Sequence, residues 1–386
     1  MKKKDSVLLT ENKEIEDVSR FPAQTEEYNE LYRQWRCRED NLFAFSGKLR
    51  QSTYTYVDGI GLQSSGGAKR EETALRNLCL LIAAVMIVYA LAENVLVLPV
   101  MFILKLAHVE ISYSFNEKIA YGNQYAVLGF TVFESLLKLL LPAVIMRKRL
   151  KMPMRAACPM KVRRKWYVGA SVFLMCAVFS AVSIPRLIFP AGALTTDNIG
   201  MSYQVTSYMS GWCQTAYIVF ELAAVPVLLE FLFHGAMFQS MRQFGTVFAI
   251  IFTAVLNMAM MHSPESLAAI LVTSMISGWS VWKSGSLLTG LLVHTEARVI
   301  DYIIFRCNDL PDAGIIPAGV LCALIMLAAG AAGFLVMQLF GKKKLIITTN
   351  DTFLSMKAKA KIAAWNSPMV VVWIICLLLF LVEIVM

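Results

Sequence analysis

Apolar positions along the chain come in long runs separated by short polar stretches. Residues 77 to 104, 166 to 189, 316 to 340 and 369 to 386 each approach the ~20 apolar residues that cross ~30 Å of hydrocarbon. More polar runs at 123 to 146, 210 to 241, 246 to 263, 266 to 283 and 286 to 305 bring the expected crossings to about nine. None of them alternates with the period of a strand. In hydrocarbon every backbone group needs a partner within its own segment, so the pattern predicts an all-α, polytopic helical membrane bundle. The small residues from Ala328 to Gly333 predict a helix that lies close against a neighbour.

Composition agrees: 57% hydrophobic residues, 16% charged and a mean hydropathy of +0.59 exclude a single water-soluble core. The 36 Lys and Arg exceed the 27 acids, yet residues 1 to 76 hold 13 of each sign, so the +9 belongs to the membrane part and implies no nucleic-acid partner. Nine basic residues and no acid fall between Arg147 and Lys165, and six more between Lys342 and Lys361. Such juxtamembrane charge marks the cytosolic side, with anionic lipid heads as secondary contacts. Nine crossings from a cytosolic N-terminus put both runs on that side.

Residues 1 to 76 read as a cytosolic, partly disordered region. Within it Tyr28, Leu31, Tyr32, Trp35 and Phe43 suit a short amphipathic helix, and Gly59 to Gly67 reads as a linker. The first apolar run comes too late for a signal peptide and is expected to be a retained anchor. Residues 77 to 340 form the membrane core; 341 to 386 add a basic linker and one more transmembrane helix. Cys176, Cys213, Cys322 and Cys376 read as small apolar fillers. With no Gly-rich phosphate loop and no paired cysteines, no cofactor is expected.

Ionisable side chains at bilayer depth cost roughly 3 kcal/mol or more, which makes them the first candidates for function. His234, His262 and His294 lie in apolar stretches with Glu230 and Arg298. Counting ~1.5 Å per residue from the turn at Gln243 to Gly245 puts Glu230 and His262 at matching heights, with His294 in the same layer. Glu230 and His234 are four residues apart, as are His294 and Arg298, so each pair shares a helix face. Glu93, Glu134 and Glu221 read as structural: Lys138 stands one turn from Glu134, and Glu221 lies about half a rotation from Glu230. His234, His262, His294 and Glu230 also form an alternative zinc-type donor set, without the H-E-x-x-H pair that presets two ligands. A transporter is disfavoured because the long helices show no inverted repeat.

LLEFLFHG at 228 to 235, then His262, then SGSLLTGLLVH at 284 to 294 resemble the three motifs of the CPBP family. These are the CAAX-processing and bacteriocin-processing intramembrane proteases, also called Abi proteins. The family pattern is EExxxR followed by Gly, FxxxH, and a Gly-Ser-Leu segment leading to HxxxN, and the resemblance covers about residues 75 to 340. It implies a bacterial cell membrane as location and peptide-bond hydrolysis by an activated water. The carry-over puts the second Glu on Glu230 and the two histidines on His262 and His294. Leu229 stands at the first Glu, His234 at the Arg, Met258 at the Phe and Arg298 at the Asn. With Leu229 unable to take a proton, Glu230 with His262 is expected on the water side. His294 and Arg298 are expected to face the oxyanion, or Arg298 to pair with Glu230. The substrate would be a membrane-associated or lipidated peptide. A catalytically dead relative that binds a peptide or membrane-protein partner is the alternative.

Overall fold

A computed structural model describes residues 21–45, 54–57, 61–64, 67–114, 119–188, 209–261, 266–308, 310–311, 316–341 and 352–385. The protein is a helical bundle. Its helices are α1 (Glu26–Arg36), α2 (Gly67–Leu106), α3 (Gln124–Leu150), α4 (Met154–Ala157), α5 (Lys165–Ile188) and α6 (Gly211–Phe244), followed by α7 (Thr246–Met261), α8 (Leu267–Ser284), α9 (Leu287–Asn308), α10 (Ala318–Gly341), α11 (Met356–Trp365) and α12 (Ser367–Val385). Two antiparallel hairpins, Tyr54–Val57 with Gly61–Ser64 and Ile111–Ser114 with Ile119–Gly122, decorate it. The first of them occupies part of the stretch read from sequence as a linker.

A helix stands at each of the nine expected crossings, but they are not equivalent. Among the described residues five (α2, α3, α5, α6 and α10) are long and apolar enough to span a bilayer by length and composition. The bent pair α11–α12, folded by 70°, makes up to six. α7 has 16 residues, and α9 carries Glu296, Arg298, Asp301 and Arg306. The difference has a physical source: α7, α8 and α9 pack on one another and on α6 inside the bundle, where a helix face meets protein rather than lipid.

α10 lies closely along α5. A Cβ on Gly330 would stand 2.9 Å from the Ala177 Cα, and one on Gly333 would stand 2.7 Å from the Phe173 Cγ. The small-residue stretch therefore does what its pattern predicts, letting two backbones meet where apolar attraction between helices is weak.

The N-terminal helix is docked rather than loose. Thr25 caps α1 by accepting from the Tyr28 N–H, acids fill the first turn and Arg33 and Arg36 the last, as the helix dipole favours. Its aromatic face is buried against the ends of α3 and α6. Tyr28 Oη donates to Gln239 Oε1 at 2.6 Å, Tyr32 Oη to the Gln239 carbonyl at 2.9 Å and Trp35 Nε1 to the Leu150 carbonyl at 2.8 Å. The buried Arg242 guanidinium stacks 3.9 Å from the Phe21 ring centroid and donates to Gln239 Oε1 at 3.0 Å. Burial pushes the Tyr28 phenol above its ordinary range, against the pull of Arg242, so it stays a donor. The cap reaches the basic segment as well, where Arg155 pairs with Glu27, and Arg163 and Arg164 donate to the Gln24 and Pro22 carbonyls. Gly285, with φ +82° at the α8–α9 turn, sits directly under the Ala23 carbonyl, where a side chain has no room.

Two substitutions test this packing in detergent-purified protein by thermal unfolding. Gly330→Leu forces α10 off α5 and lowers stability by about 1–3 kcal/mol. Tyr28→Phe strands buried partners at Gln239 and Arg242 and costs about 1–2 kcal/mol. Unchanged melting temperatures would contradict the α5–α10 contact and the cap respectively.

Candidate active site

The site is built on α6, whose path is irregular. A wide π turn at Phe220–Ala224 precedes the short α segment Val225–Glu230, and a second π segment follows at Phe231–Met237. Gly235 breaks helical geometry at φ −78°, ψ −114°. Such turns insert a residue without completing a rotation and recur at functional sites. Pro226 is the second residue of the segment between them, in its first turn, where a missing N–H costs least.

Glu230 projects from this segment into the dry interior between α8 and α9, and its Oε1 collects three partners. His234 Nδ1 lies at 3.0 Å, His294 Nδ1 at 3.0 Å, and Ser277 Oγ donates at 2.6 Å. The far nitrogen of His234 lies 3.1 Å from the Ser274 carbonyl. A carbonyl only accepts, so Nε2 of His234 carries a hydrogen and Nδ1 shares a proton with the carboxylate. His234 and Glu230 thereby form a neutralised buried pair. His294 donates Nδ1–H to the same oxygen, which leaves Nε2 as the basic atom of its ring.

Glycine and serine on the opposing helices make the room. A Cβ on Gly290 would fall 2.6 Å from Glu230 Oε2 and 2.8 Å from Ser277 Oγ, and one on Gly278 would fall 3.3 Å from His234 Nε2. Oε2 itself is buried without a hydrogen-bond partner. A cavity of about 260 Å³ opens beside the carboxylate, lined by Leu140, Met160, Val227, Leu287, Leu291 and Glu230. Val227 and Leu288 at its edge are 46% and 45% exposed, so this apolar slot opens on the outer face of the bundle.

Of the five side chains expected to cluster, Glu230, His234 and His294 meet. Arg298 does not pair with Glu230. Its Nη1 donates to Glu221 Oε2 at 3.1 Å and to the Glu221 carbonyl at 3.0 Å. The half-rotation expected between Glu221 and Glu230 holds only for an uninterrupted α-helix. The π turn at Phe220–Ala224 removes about 100° of phase, and both acids then face α9, one opposite His294 and the other opposite Arg298. Glu134 and Glu93 flank Lys138 at 3.3 and 3.6 Å, a structural pairing as expected. His262 lies outside the described residues. Among the described residues no cluster of three His, Cys, Asp or Glu side chains suits a metal ion; the alternative donor set also requires His262. Ser277 escaped the sequence reading, which weighed ionisable residues only. Its signal is the spacing of Ser274, Ser277, Ser280 and Ser284 on the buried face of α8.

Ser277→Ala, which removes a donor to a charged group, is expected to lower stability by about 1.5–3 kcal/mol. Gly290→Ala, which displaces the carboxylate, costs a comparable amount. Thermal unfolding that leaves both variants at the wild-type midpoint would contradict this placement of Glu230.

Residues 210–300, from the start of α6 into α9, match the family model described as type II CAAX prenyl endopeptidase Rce1-like. No curated protein and no solved structure matches the chain. The matched stretch contains Glu230, His234, His294 and Arg298, together with the helices that bring the first three into contact. The chain is thus an integral membrane protein carrying an Rce1-like domain at residues 210–300, consistent with the CPBP family of intramembrane proteases that its motifs resemble.

Proposed function

We propose that the protein is an intramembrane endopeptidase that hydrolyses a peptide bond in a membrane-associated or lipidated substrate. The observation that carries this reading is the Glu230 carboxylate, clamped through one oxygen by His234, His294 and Ser277 at the wall of an apolar cavity. The slot takes the apolar part of the substrate. Glu230, through its second oxygen, accepts a proton from the attacking water and returns it to the departing amine. His294 faces the reacting carbonyl, the family resemblance assigns His262 to the water side, and fixed donors in a water-poor site act without competing solvent. Arg298, held by Glu221, positions α9 rather than touching the carbonyl. The α1 cap and the basic segment from Arg147 to Lys165 face the cytosol, as positive charge beside spanning helices favours.

One observation favours a second reading, a catalytically silent protein that binds such a peptide. Leu229, at the position of the family's first acid, is only 1% exposed and belongs to the main apolar core. No second carboxylate from that position supports Glu230.

The two readings separate in proteoliposomes containing the full chain and a farnesylated peptide ending in a CAAX sequence, with fragments followed by mass spectrometry. The protease reading predicts cleavage by wild type and a loss of ~10²-fold or more in both Glu230→Gln and His294→Ala, each checked for retained helicity. Peptide binding without cleavage by wild type selects the second reading. Cleavage undiminished in Glu230→Gln overturns the assigned base.

A further inference from the structure

A second cavity adjoins the apolar slot on the side of the basic segment. It holds about 200 Å³ between the entry to α1, the stretch from Cys158 to Lys161 and the α8–α9 turn at Gly285. Met160 lines both cavities. Leu287, in the wall of the slot, donates its N–H to the carbonyl of Pro159, in the wall of the second cavity, at 2.6 Å. The shared Met160 side chain is 53% exposed, and a flexible thioether of this kind turns aside at little cost.

The walls of the second cavity combine apolar surface with unused donors. Leu31 and Pro159 supply the apolar part. Gln24 is 1% exposed, yet its side-chain Nε2 has no hydrogen-bond partner, an omission that is costly for a buried donor unless something fills the place. A Cβ on Gly285 would stand 3.6 Å from Gln24 Oε1, which puts the amide beside another wall residue. Arg155 is already matched by Glu27, whereas Lys161 is exposed and makes no ion pair among the described residues. An amide N–H and an ammonium can only donate, so an acceptor, best an anion, completes them. At about 200 Å³ the space is below the ~300 Å³ that takes a whole small ligand, and it suits the end of a chain held next door.

We propose that this cavity is a subsite for the C-terminal carboxylate of the peptide whose apolar part occupies the slot. The proposal rests on the substrate reading above and adds the means by which a chain end is told from an internal segment. The carboxylate accepts from Gln24 Nε2 and Lys161 Nζ, and the terminal side chain lies on Leu31 and Pro159. Three extended residues reach ~10 Å, which lets a peptide bond be presented to Glu230 while the chain end is held past Met160. A lipid phosphate shares the acceptor chemistry; the peptide carboxylate is favoured by the continuity of the cavity with the slot at Glu230.

The test measures binding to the full chain carrying Glu230→Gln, by fluorescence anisotropy in detergent, with mass spectrometry confirming that the peptide stays intact. The probes are a farnesylated CAAX peptide with a free C-terminal carboxylate and its carboxamide twin. The carboxylate is expected to bind about 10-fold tighter than the amide, as for hydrogen bonds to a charged group. Lys161→Gln, at an exposed position, should weaken the carboxylate about 3-fold and leave the amide unchanged. Gln24→Ala should act the same way, and Lys161→Arg should keep the preference. Equal binding of the two peptides, or a preference that survives both Lys161→Gln and Gln24→Ala, overturns the proposal. Lys161-dependent binding of phosphatidylglycerol in place of any peptide preference assigns the cavity to a lipid head group and overturns it as well. Binding of neither peptide removes the subsite together with the substrate reading. Carboxylate-selective binding without cleavage by wild type leaves the subsite standing and defeats the endopeptidase reading alone.

Discussion

A carboxylate in a water-poor interior governs the rest of the architecture. An isolated ion there is prohibitively expensive, so Glu230 exists as it does only because three helices converge to compensate it. His234 from the same helix supplies a shared proton, His294 from α9 a ring N–H and Ser277 from α8 a hydroxyl, all on one oxygen. Convergence at this distance requires that the opposing helices carry little bulk, which explains why glycine occupies positions 278 and 290 and why α8 presents serines where a lipid-facing helix would present leucines. The same demand explains why α8 and α9 fail the simple measure of a membrane-crossing helix although they lie in the heart of the bundle.

The irregular course of α6 is the second half of that arrangement. Gly235 departs from helical geometry, and the His234 carbonyl receives the Gln239 side-chain amide at 3.3 Å. The oxygen of the same side chain takes hydrogen bonds from Tyr28 and Arg242. A segment that looks peripheral in the sequence is therefore two hydrogen bonds from the backbone of a site residue. The aromatic face of α1 and the guanidinium of Arg242 support the distorted stretch from below.

Much of this was legible in the sequence, for identifiable reasons. Hydrophobic run lengths disclosed the helices, and a fixed rise per residue placed Glu230 and His294 at one depth, where they meet. The four-residue spacing foretold the contact of Glu230 with His234. The partner of Arg298 was not legible, because the phase argument that separated Glu221 from Glu230 assumes an uninterrupted α-helix and a π turn carries no clear local signature. The docking of α1 was half legible: its amphipathic pattern is plain, but nothing local says that Gln239 and Arg242, more than 200 positions away, are what it packs on. Ser277 was hidden because hydroxyls in apolar helices usually bond to their own backbone, as Ser171 and Ser183 do here.

The way the chain closes on itself bears on how it is made. Glu71, at the start of α2, accepts from the Thr352 hydroxyl at 2.6 Å and the Leu354 N–H at 3.0 Å, and the Asn366 amide reaches the Arg76 carbonyl at 2.9 Å. Helix α12 lies against the first spanning one, so that flank of α2 stays open until residues 352–385 have been made. At roughly 5–20 residues per second, a nascent α2 must wait on the order of tens of seconds with a buried-type acid and one flank uncovered, a span during which lipid or the insertion machinery has to stand in for α12.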